Sequence, residues 1–599
     1  MVASPTMRAI RELPLAAPLL LAGLALFFGD GPADGSIWWL GGGALLAVLV
    51  LVATTGVPGG GEAILPLVAL AIWCAISIAW SWLPDRSWDY ANRTVVYALF
   101  AALGLFAAGR TRALANGLAV LLAAVLAWTL LGKILPPVYD YGSPFVSARL
   151  QGPIGLWNQL ALAADYALVL ALWRRRRDGA LLAYLALVAL FLTYSRGGIL
   201  TAVVVCALWF AFAGAWLESA ATLVAALVPA AVVTGIAFVL PGVTKDAQPS
   251  HVRWRDGIVF GLVLLAGAAA VFLLAGLRRP RDSPALRRGA LGVVGAAVVA
   301  GLVFLAVHGI GSGTVANGNT HVLSTSSNFR FTWWHQAWRA FEHHALLGTG
   351  AGSFHLVNLL YRSSYLDETT EPHDLPLQFL QETGVVGLAL LVLAVVFLLR
   401  AGLRRRGHEL ALALLLPAFL VHALVDVDWD FVAVAAPAFV AAGALAGRPA
   451  ARRVAGFALL PAVGVAVLLF GVLLLPWLAH RWADDASIAA PARAVTLAKR
   501  AHSADPLLVD PYWARAEAAD ERNLPQVAYD WYLAATRRQP HNPQTWLQAG
   551  EYAKSFGCPF QAWQKLEQYV TLDPNARPSP GGDDYRAMLK LVNARKYDC

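Results

Sequence analysis

Three side chains in this sequence have the chemistry to hold an anion and to accept a proton. His373 lies in the polar segment EPHD, and an imidazole titrates near neutral pH, as a general base must. Arg330 opens the segment RFTWWHQAWRAF, and Arg196 lies in LTYSRGGIL. A guanidinium is a planar, permanently charged donor that suits phosphate oxygens. These residue types would suit a site that binds a phosphate group beside a base.

Each of these side chains also has an explanation without chemistry. Arg196, at the outer end of a membrane span, could extend to the interface and pair with a carboxylate or a lipid headgroup. His373 could be a surface histidine in a turn between Pro372 and Pro376. Asp374 follows the histidine directly and is a candidate to orient its imidazole ring. At this point the alternatives stay open.

Composition indicates which elements must position these residues. Of the 599 residues, 58% are hydrophobic and 14% are charged. Apolar runs of about 20 residues recur along the chain, and a membrane-spanning helix needs a run of that length. The alternating pattern of a β-barrel strand is missing from the sequence. The sequence therefore predicts an all-α, polytopic membrane protein built as a helical bundle.

Arginine clusters between the apolar runs predict the orientation of the chain. The formal charge of +9 comes mostly from such clusters, for example residues 174–177, so it indicates topology rather than a nucleic-acid partner. With every cluster on the cytoplasmic side, about fifteen spans fit and the C-terminus lies outside. The predicted spans start near residues 13, 37, 63, 93, 114, 157, 179, 197, 219, 257, 288, 384, 408, 430 and 454.

This topology divides the chain into four regions. Residues 1–310 hold about eleven spans, and residues 384–480 hold about four more. Between them, residues 311–383 form a long extracytoplasmic loop, and residues 481–599 form a soluble, extracytoplasmic helical domain. A loop of that length inside a compact array is usually functional.

The loop contains a predicted amphipathic helix in the segment FRFTWWHQAWRAF. Helical spacing places Phe331, Trp334 and Trp338 on one face, with Gln336 and Arg339 on the neighbouring face. Such a helix is expected to lie against the membrane surface or against the bundle.

The C-terminal domain repeats with a period of 34 residues. The repeated residues are Pro506, Pro540 and Pro574, together with Ala494, Ala528 and Ala562. A small residue in the second helix and a proline at the repeat end resemble tetratricopeptide repeats. Two interpretations stay open: a helical cap on the outer face, or a groove that binds a protein partner.

Around the candidate residues the sequence resembles the superfamily of O-antigen ligases and polymerases. The shared pattern is an arginine, a tryptophan four residues on, an alanine, a G-x-G-x-x-F turn, and then a histidine followed by a glutamate and two glycines. Here these residues are Arg330, Trp334, Ala337, Gly350, Gly352, Phe354, His373, Glu382, Gly384 and Gly387. The segments TYSRGG and GPIGLWNQLA are similar to two further elements of the family, which adds Arg196 and Asn158.

The resemblance implies a GT-C-like membrane glycosyltransferase that needs no metal or other cofactor and inverts the anomeric carbon. The implied donor is a glycan on undecaprenyl diphosphate, and the acceptor is a hydroxyl of a glycan, a lipid or a protein. It implies one catalytic base, His373, and two diphosphate ligands, Arg196 and Arg330. The residues expected to support them are Asn158, Asp374 and Glu382. The expected location is the cell membrane, with the site and the C-terminal domain on the extracytoplasmic side.

Some features depart from the family or allow another function. The sequence has Asp374 and Pro376 where the family often has an asparagine and an aromatic residue, and a carboxylate there could raise the pKa of His373. HALVDVDWD, which contains Asp426 and Asp428, resembles an acidic element of some members. A transporter that moves a lipid-linked saccharide without forming a bond would use the same arginines, although the interrupted spans of such proteins are not evident.

Overall fold

The structure is a computed structural model of the chain. It describes the ranges 5–29, 34–139, 147–214, 216–277, 326–449, 459–576 and 580–594, with single positions at 288, 289, 292 and 456. The predicted span near residue 288 and the first part of the predicted loop lie outside the described residues.

The described residues are helical and contain no strand, apart from one isolated bridge between Gly59 and Arg448. The helices before the loop are α1 (Pro5–Phe28), α2 (Ile37–Thr55), α3 (Leu65–Ser77), α4 (Pro84–Phe106), α5 (Thr111–Ile134), α6 (Trp157–Arg174), α7 (Arg176–Thr193), α8 (Arg196–Phe212), α9 (Trp216–Phe238), α10 (Pro241–Thr244) and α11 (Ser250–Leu274). The helices that follow are α12 (Arg330–His343), α13 (Phe354–Tyr361), α14 (Leu375–Gly402), α15 (His408–Ala413), α16 (Leu415–His422), α17 (Val432–Ala446) and α18 (Leu459–Ser487).

Seven of the described helices are long and apolar enough to cross a membrane. Four shorter apolar segments accompany them: Leu65–Ser77, Arg196–Phe212, His408–His422 and Val432–Ala446. A chain in lipid must satisfy its backbone within each helix, so apolar runs of this length fold as helices. The predicted polytopic helical bundle is confirmed. The predicted span start at residue 454 lies outside the described residues. Every other predicted start except residue 288 falls on a described helix or within a few residues of one, while the number of crossings stays a prediction.

The centre of the bundle is a close contact between α4 and α17. A Cβ atom at Gly104 or Gly443 would overlap the main chain of the opposite helix, so small residues are required at this crossing. The contact places the N-terminal half of α4, which carries Arg86 and Arg93, next to Asp430 at the start of α17. Arg93 and Asp430 form a buried ion pair.

Two of the described arginine clusters, residues 110–112 and 404–406, lie close together at one end of the bundle. Arg110 pairs with Glu12 at 2.7 Å, and Thr111 contacts His408 at 3.1 Å, which joins three segments of the chain. Arg196 begins α8 at the other end, where α12, α13 and the start of α14 also lie.

The C-terminal helices follow the predicted period. They are α19 (Pro491–Ala504), α20 (Asp510–Asp520), α21 (Pro525–Arg538), α22 (Pro543–Ser555), α23 (Pro559–Leu572) and α24 (Pro580–Asn593). Pro491, Pro525 and Pro559 each occupy the first turn of a helix, where the missing N–H costs no hydrogen bond. The repeated alanines Ala494, Ala528 and Ala562 are buried between helices.

Candidate active site

Main-chain hydrogen bonds fasten the two halves of the candidate motif to each other. Thr349 N–H donates to the carbonyl of Gln381 (3.3 Å), Gly350 N–H to that of Glu382 (2.8 Å), and Val385 N–H to that of Ala345 (3.0 Å). These bonds tie the segment after α12 to α14, so Arg330 and His373 belong to one rigid unit.

Two glycines of the motif make this close contact possible. Gly384 interrupts α14 with φ 67° and ψ −171°, and a Cβ there would overlap the carbonyl of Leu346. Gly350 has φ 103° and packs against Ser81 in the same way. A side chain at either position would need a left-handed backbone and would also lack space. The predicted span start at residue 384 is therefore a kink, and the helix itself begins earlier, at Leu375.

Glu382 holds the glycine-rich turn. Its carboxylate accepts hydrogen bonds from the main-chain N–H groups of Gly352 (2.8 Å) and Phe354 (3.3 Å), and Gln378 donates to the same group (3.4 Å). The side chain is buried. Glu382 thus supports the site by fixing the turn that precedes α13.

The His373 imidazole is held from two sides. Its Nδ1 lies 3.0 Å from the carbonyl oxygen of Glu371, and its ring stacks on Trp333 with centroids 4.6 Å apart and planes at 26°. A carbonyl only accepts, so Nδ1 carries the proton and the lone pair is on Nε2. The backbone of His373 is left-handed, with φ 58°. This geometry leaves Nε2 as the nitrogen that can accept a proton.

Burial lowers the pKa of His373 to about 4. The negative charge of Asp426 raises this pKa, and the positive charge of Arg330 lowers it further. This pKa lies below the near-neutral value that the sequence led us to expect for the imidazole. At neutral pH the ring is uncharged and its lone pair is available.

Asp374 does not contact the imidazole ring that it follows. Its Oδ1 accepts a hydrogen bond from Leu377 N–H at 2.8 Å and caps the N-terminus of α14. An aspartate at this position is a favourable N-cap. Asp374 therefore sets where α14 begins, and the carbonyl of Glu371 takes the orienting role that the sequence suggested for Asp374.

Arg330 is fixed by the segment between α16 and α17. Its Nε donates to the carbonyl of Val425 (2.7 Å), and a terminal nitrogen donates to Asp426 Oδ2 (3.1 Å). The carboxylate of Asp426 is buried, whereas the guanidinium keeps 20% of its surface exposed. Although burial alone would raise the pKa of Asp426, the charge of Arg330 holds it below the usual value. The aspartate is thus ionised and anchors the arginine.

Asp426 also joins Asn158 to the site. Asn158 Nδ2 donates to the same oxygen of Asp426 at 2.6 Å. The neighbouring Gln159 donates to Asp426 (3.3 Å) and to Asp428 (3.1 Å), and Asp428 accepts from His422 (2.6 Å). The acidic element HALVDVDWD therefore connects α6, α12 and α16. We call this element, with Asp426 and Asp428 at its centre, the hub. Among the residues that the structure describes, no three His, Cys, Asp or Glu side chains are placed to hold a metal ion.

Arg196 reaches the same hub from α8. The adjacent Gly197 lies so close to the hub that a Cβ there would be 3.2 Å from Val425 and 3.5 Å from Nε2 of His422. Ser195 caps α8 by accepting from Gly198 N–H at 3.1 Å. The structure thus brings Arg196 to the segment that anchors Arg330.

A third arginine, Arg149, was missed in the sequence. Its Nε donates to the carbonyl of Thr193 (2.7 Å), and its guanidinium lies 4.2 Å from the ring centre of Trp157. Burial lowers the pKa of Arg149 to about 9. The charge of Asp426 opposes this shift, whereas the charges of Arg196 and Arg330 add to it. The sequence does contain a signal for it, because Arg149, like Arg196, stands apart from the arginine clusters.

The aromatic helix α12 packs with a different face from the predicted one. Its buried residues are Trp333, Gln336, Ala337 and Ala340. Phe331 and Trp338, on the predicted apolar face, are exposed. The predicted helix is present, but the tryptophan that contacts the candidate base is Trp333.

The comparison with protein families agrees with this site. Residues 259–392 match the family of O-antigen ligases. The matched range includes Arg330, His373 and Glu382, whereas Arg196 and Asp426 lie outside it and join the site only through the fold. No curated protein sequence matches the chain. The match supports a membrane protein of the glycan-transfer, ligase type.

Proposed function

We propose that this protein transfers a glycan from undecaprenyl diphosphate to an acceptor hydroxyl, as an O-antigen ligase or a polysaccharide polymerase. The observation that carries the proposal is the convergence at Asp426, which anchors Arg330, binds Asn158 and attracts the charge of Arg149. Arg196 contributes a further positive charge that acts on both Arg149 and Arg330. A group of guanidiniums next to an uncharged imidazole suits a reaction with a diphosphate leaving group.

In the proposed reaction, Nε2 of His373 accepts the proton of the acceptor hydroxyl. The hydroxyl oxygen forms the new bond to the anomeric carbon while the bond from that carbon to the diphosphate oxygen breaks. The electron pair of the broken bond stays on the diphosphate, where Arg330, Arg196 and Arg149 stabilise it. Direct displacement inverts the anomeric carbon, and no step requires a metal ion.

The low pKa of His373 fits this sequence of events. Desolvation of the half-buried imidazole and the positive charge of Arg330 keep it neutral. A bound diphosphate adds negative charge nearby, and that charge raises the pKa of the imidazole as the proton is transferred. The bound donor therefore makes His373 a stronger base toward the acceptor hydroxyl.

We place the site on the extracytoplasmic side of the cell membrane. The support is that two arginine clusters lie at the opposite end of the bundle, where positive charge marks the cytoplasm. Cys558 is disulfide-bonded, which is typical of an oxidising compartment outside the cytoplasm. We also propose that the C-terminal helices form a tetratricopeptide-like domain that recruits a protein partner, supported by the helix period of 34 residues from Pro491.

The test is a transfer assay with purified protein, a lipid-linked oligosaccharide and candidate acceptors, with and without EDTA. We expect a new glycosidic bond, unchanged transfer with EDTA, and at least a ~100-fold loss in His373→Ala, as for removal of a general base. Transfer that disappears on chelation would refute the metal-free mechanism. Movement of the lipid between leaflets without a new bond would identify a transporter instead.

A further inference from the structure

The C-terminal helices are attached to the segment that carries His373. Arg362, at the end of α13, makes a two-nitrogen ion pair with both carboxylate oxygens of Asp573, at the end of α23. Both side chains are buried, at 7% and 5% exposure. Asn575 also donates to the carbonyl of Arg362, and Glu368 contacts its guanidinium. A forked, buried pair of this kind fixes orientation as well as distance.

A second contact joins the same domain to α4. Gln539 donates to Asp85 at 2.8 Å, and His541 stacks on Trp82 with ring centres 4.6 Å apart. Gln539 and Asp573 both directly precede a repeated proline, so the period of the domain puts them on one edge. This edge of the C-terminal domain is the surface that contacts α4 and the end of α13.

We call the Arg362–Asp573 ion pair the clamp. The segment around Arg362 that the clamp holds in place supports the imidazole of His373 through Trp333. Asp367, in the turn after Arg362, accepts a hydrogen bond at its carbonyl from the indole N–H of Trp333 at 2.7 Å. The Asp367 side chain accepts from the main chain of Ser363 (3.2 Å) and Ser364 (3.3 Å), which makes the turn rigid. The ring of Trp333 then stacks on His373.

The same segment holds the imidazole through the carbonyl of Glu371. Asn358 in α13 accepts from Thr369 N–H (3.1 Å), and the Thr369 hydroxyl donates to the Glu371 carbonyl (3.0 Å). That carbonyl is the acceptor for Nδ1 of His373. Both supports of the imidazole therefore start from the segment that Asp573 clamps.

We propose that Arg362 and Asp573 are positioning residues, through which the C-terminal domain sets the orientation of the His373 ring for transfer. In this proposal the C-terminal domain positions a residue of the site in addition to recruiting a protein partner. The inference rests on the proposed function for its catalytic consequence, but the orientation of the ring can be measured without catalysis.

The first experiment measures the ring directly in the full-length protein. Diethyl pyrocarbonate modifies an accessible imidazole, and mass spectrometry gives the rate for the peptide that contains His373. We expect Asp573→Asn to raise this rate about tenfold, since the change frees a segment that opens locally. The matched control is Asp584→Asn, which removes a 2.7 Å ion pair with Lys554 in the same domain and leaves the clamp intact.

The second experiment measures transfer. We expect Asp573→Asn to lower kcat by roughly 10- to 100-fold with the KM for the donor nearly unchanged, because a displaced base slows chemistry more than binding. Equal labelling and equal kcat in Asp573→Asn and Asp584→Asn would overturn the inference. If the wild-type protein transfers no glycan, the proposed function fails, and the labelling rates alone decide whether the clamp positions the ring.

Discussion

Replacing Asp426 by asparagine should uncouple Arg330 from the site. The carboxylate accepts four hydrogen bonds, from Asn158 (2.6 Å), Gln159 (3.3 Å), Arg330 (3.1 Å) and the N–H of Val427 (3.0 Å). An asparagine keeps one oxygen and turns the other into a donor. In either orientation of the new amide, its NH2 group faces N–H donors that the carboxylate oxygen accepted from.

The size of the effect follows from these contacts. A hydrogen bond to a charged group contributes about 1.5–3 kcal/mol, and breaking a buried ion pair costs about 3–5 kcal/mol. Arg330 is 20% exposed, which favours the lower end, about 3 kcal/mol. If that free energy is needed to return the guanidinium to its place, kcat/KM falls by roughly 100-fold, since each 1.36 kcal/mol is a factor of ten.

The assay compares kcat/KM for Asp426→Asn and Asp178→Asn. Asp178 is exposed and pairs with Arg174 four residues away at 2.7 Å, a contact worth about 0.3–0.5 kcal/mol. We expect the control to transfer at the wild-type rate and to show the same size-exclusion profile. A wild-type rate in Asp426→Asn would mean that Arg330 does not depend on this carboxylate, and the account of the hub would be wrong.

Three further predictions follow from the site. The kcat/KM should fall as pH drops through about 4, because protonated His373 cannot act as a base. Arg330→Gln removes a positive charge that lowers the pKa of His373, so the acid limb of the pH–rate profile should move to higher pH. Arg149→Gln should lower kcat/KM for the donor about tenfold in steady-state kinetics, because it removes a hydrogen-bond donor to the diphosphate. Gly384→Ala should lower the melting temperature clearly, since strain and overlap cost upwards of about 1 kcal/mol, whereas Gly235→Ala, where a Cβ meets open space, should not.

The positions of the helices were largely predictable because their cause is local. An apolar run long enough for a bilayer has to fold as a helix, and a second set of prolines, Pro491, Pro525 and Pro559, marks helix starts in the C-terminal domain.

The arrangement of the site was less predictable because its contacts join distant parts of the chain. Asn158 and Asp426 are 268 positions apart, so only the packed bundle shows that they meet. The role of Asp374 was misjudged for a related reason: the capping geometry of α14, rather than adjacency in sequence, decides where its carboxylate points. The pKa of His373 depends on burial, which no local pattern reveals.

The main-chain bonds between residues 345–350 and 381–385 also determine how mutations are tolerated. Side chains on the outside of this junction can drift through evolution without moving Arg330 relative to His373, because the register is carried by N–H and carbonyl groups that every residue except proline has. Only a Cβ at the buried glycines, such as Gly350 or Gly384, changes the register itself. Engineering for a new acceptor can therefore vary the exposed side chains of this junction, provided that these glycines and the side chains that hold His373 and Arg330 are left unchanged.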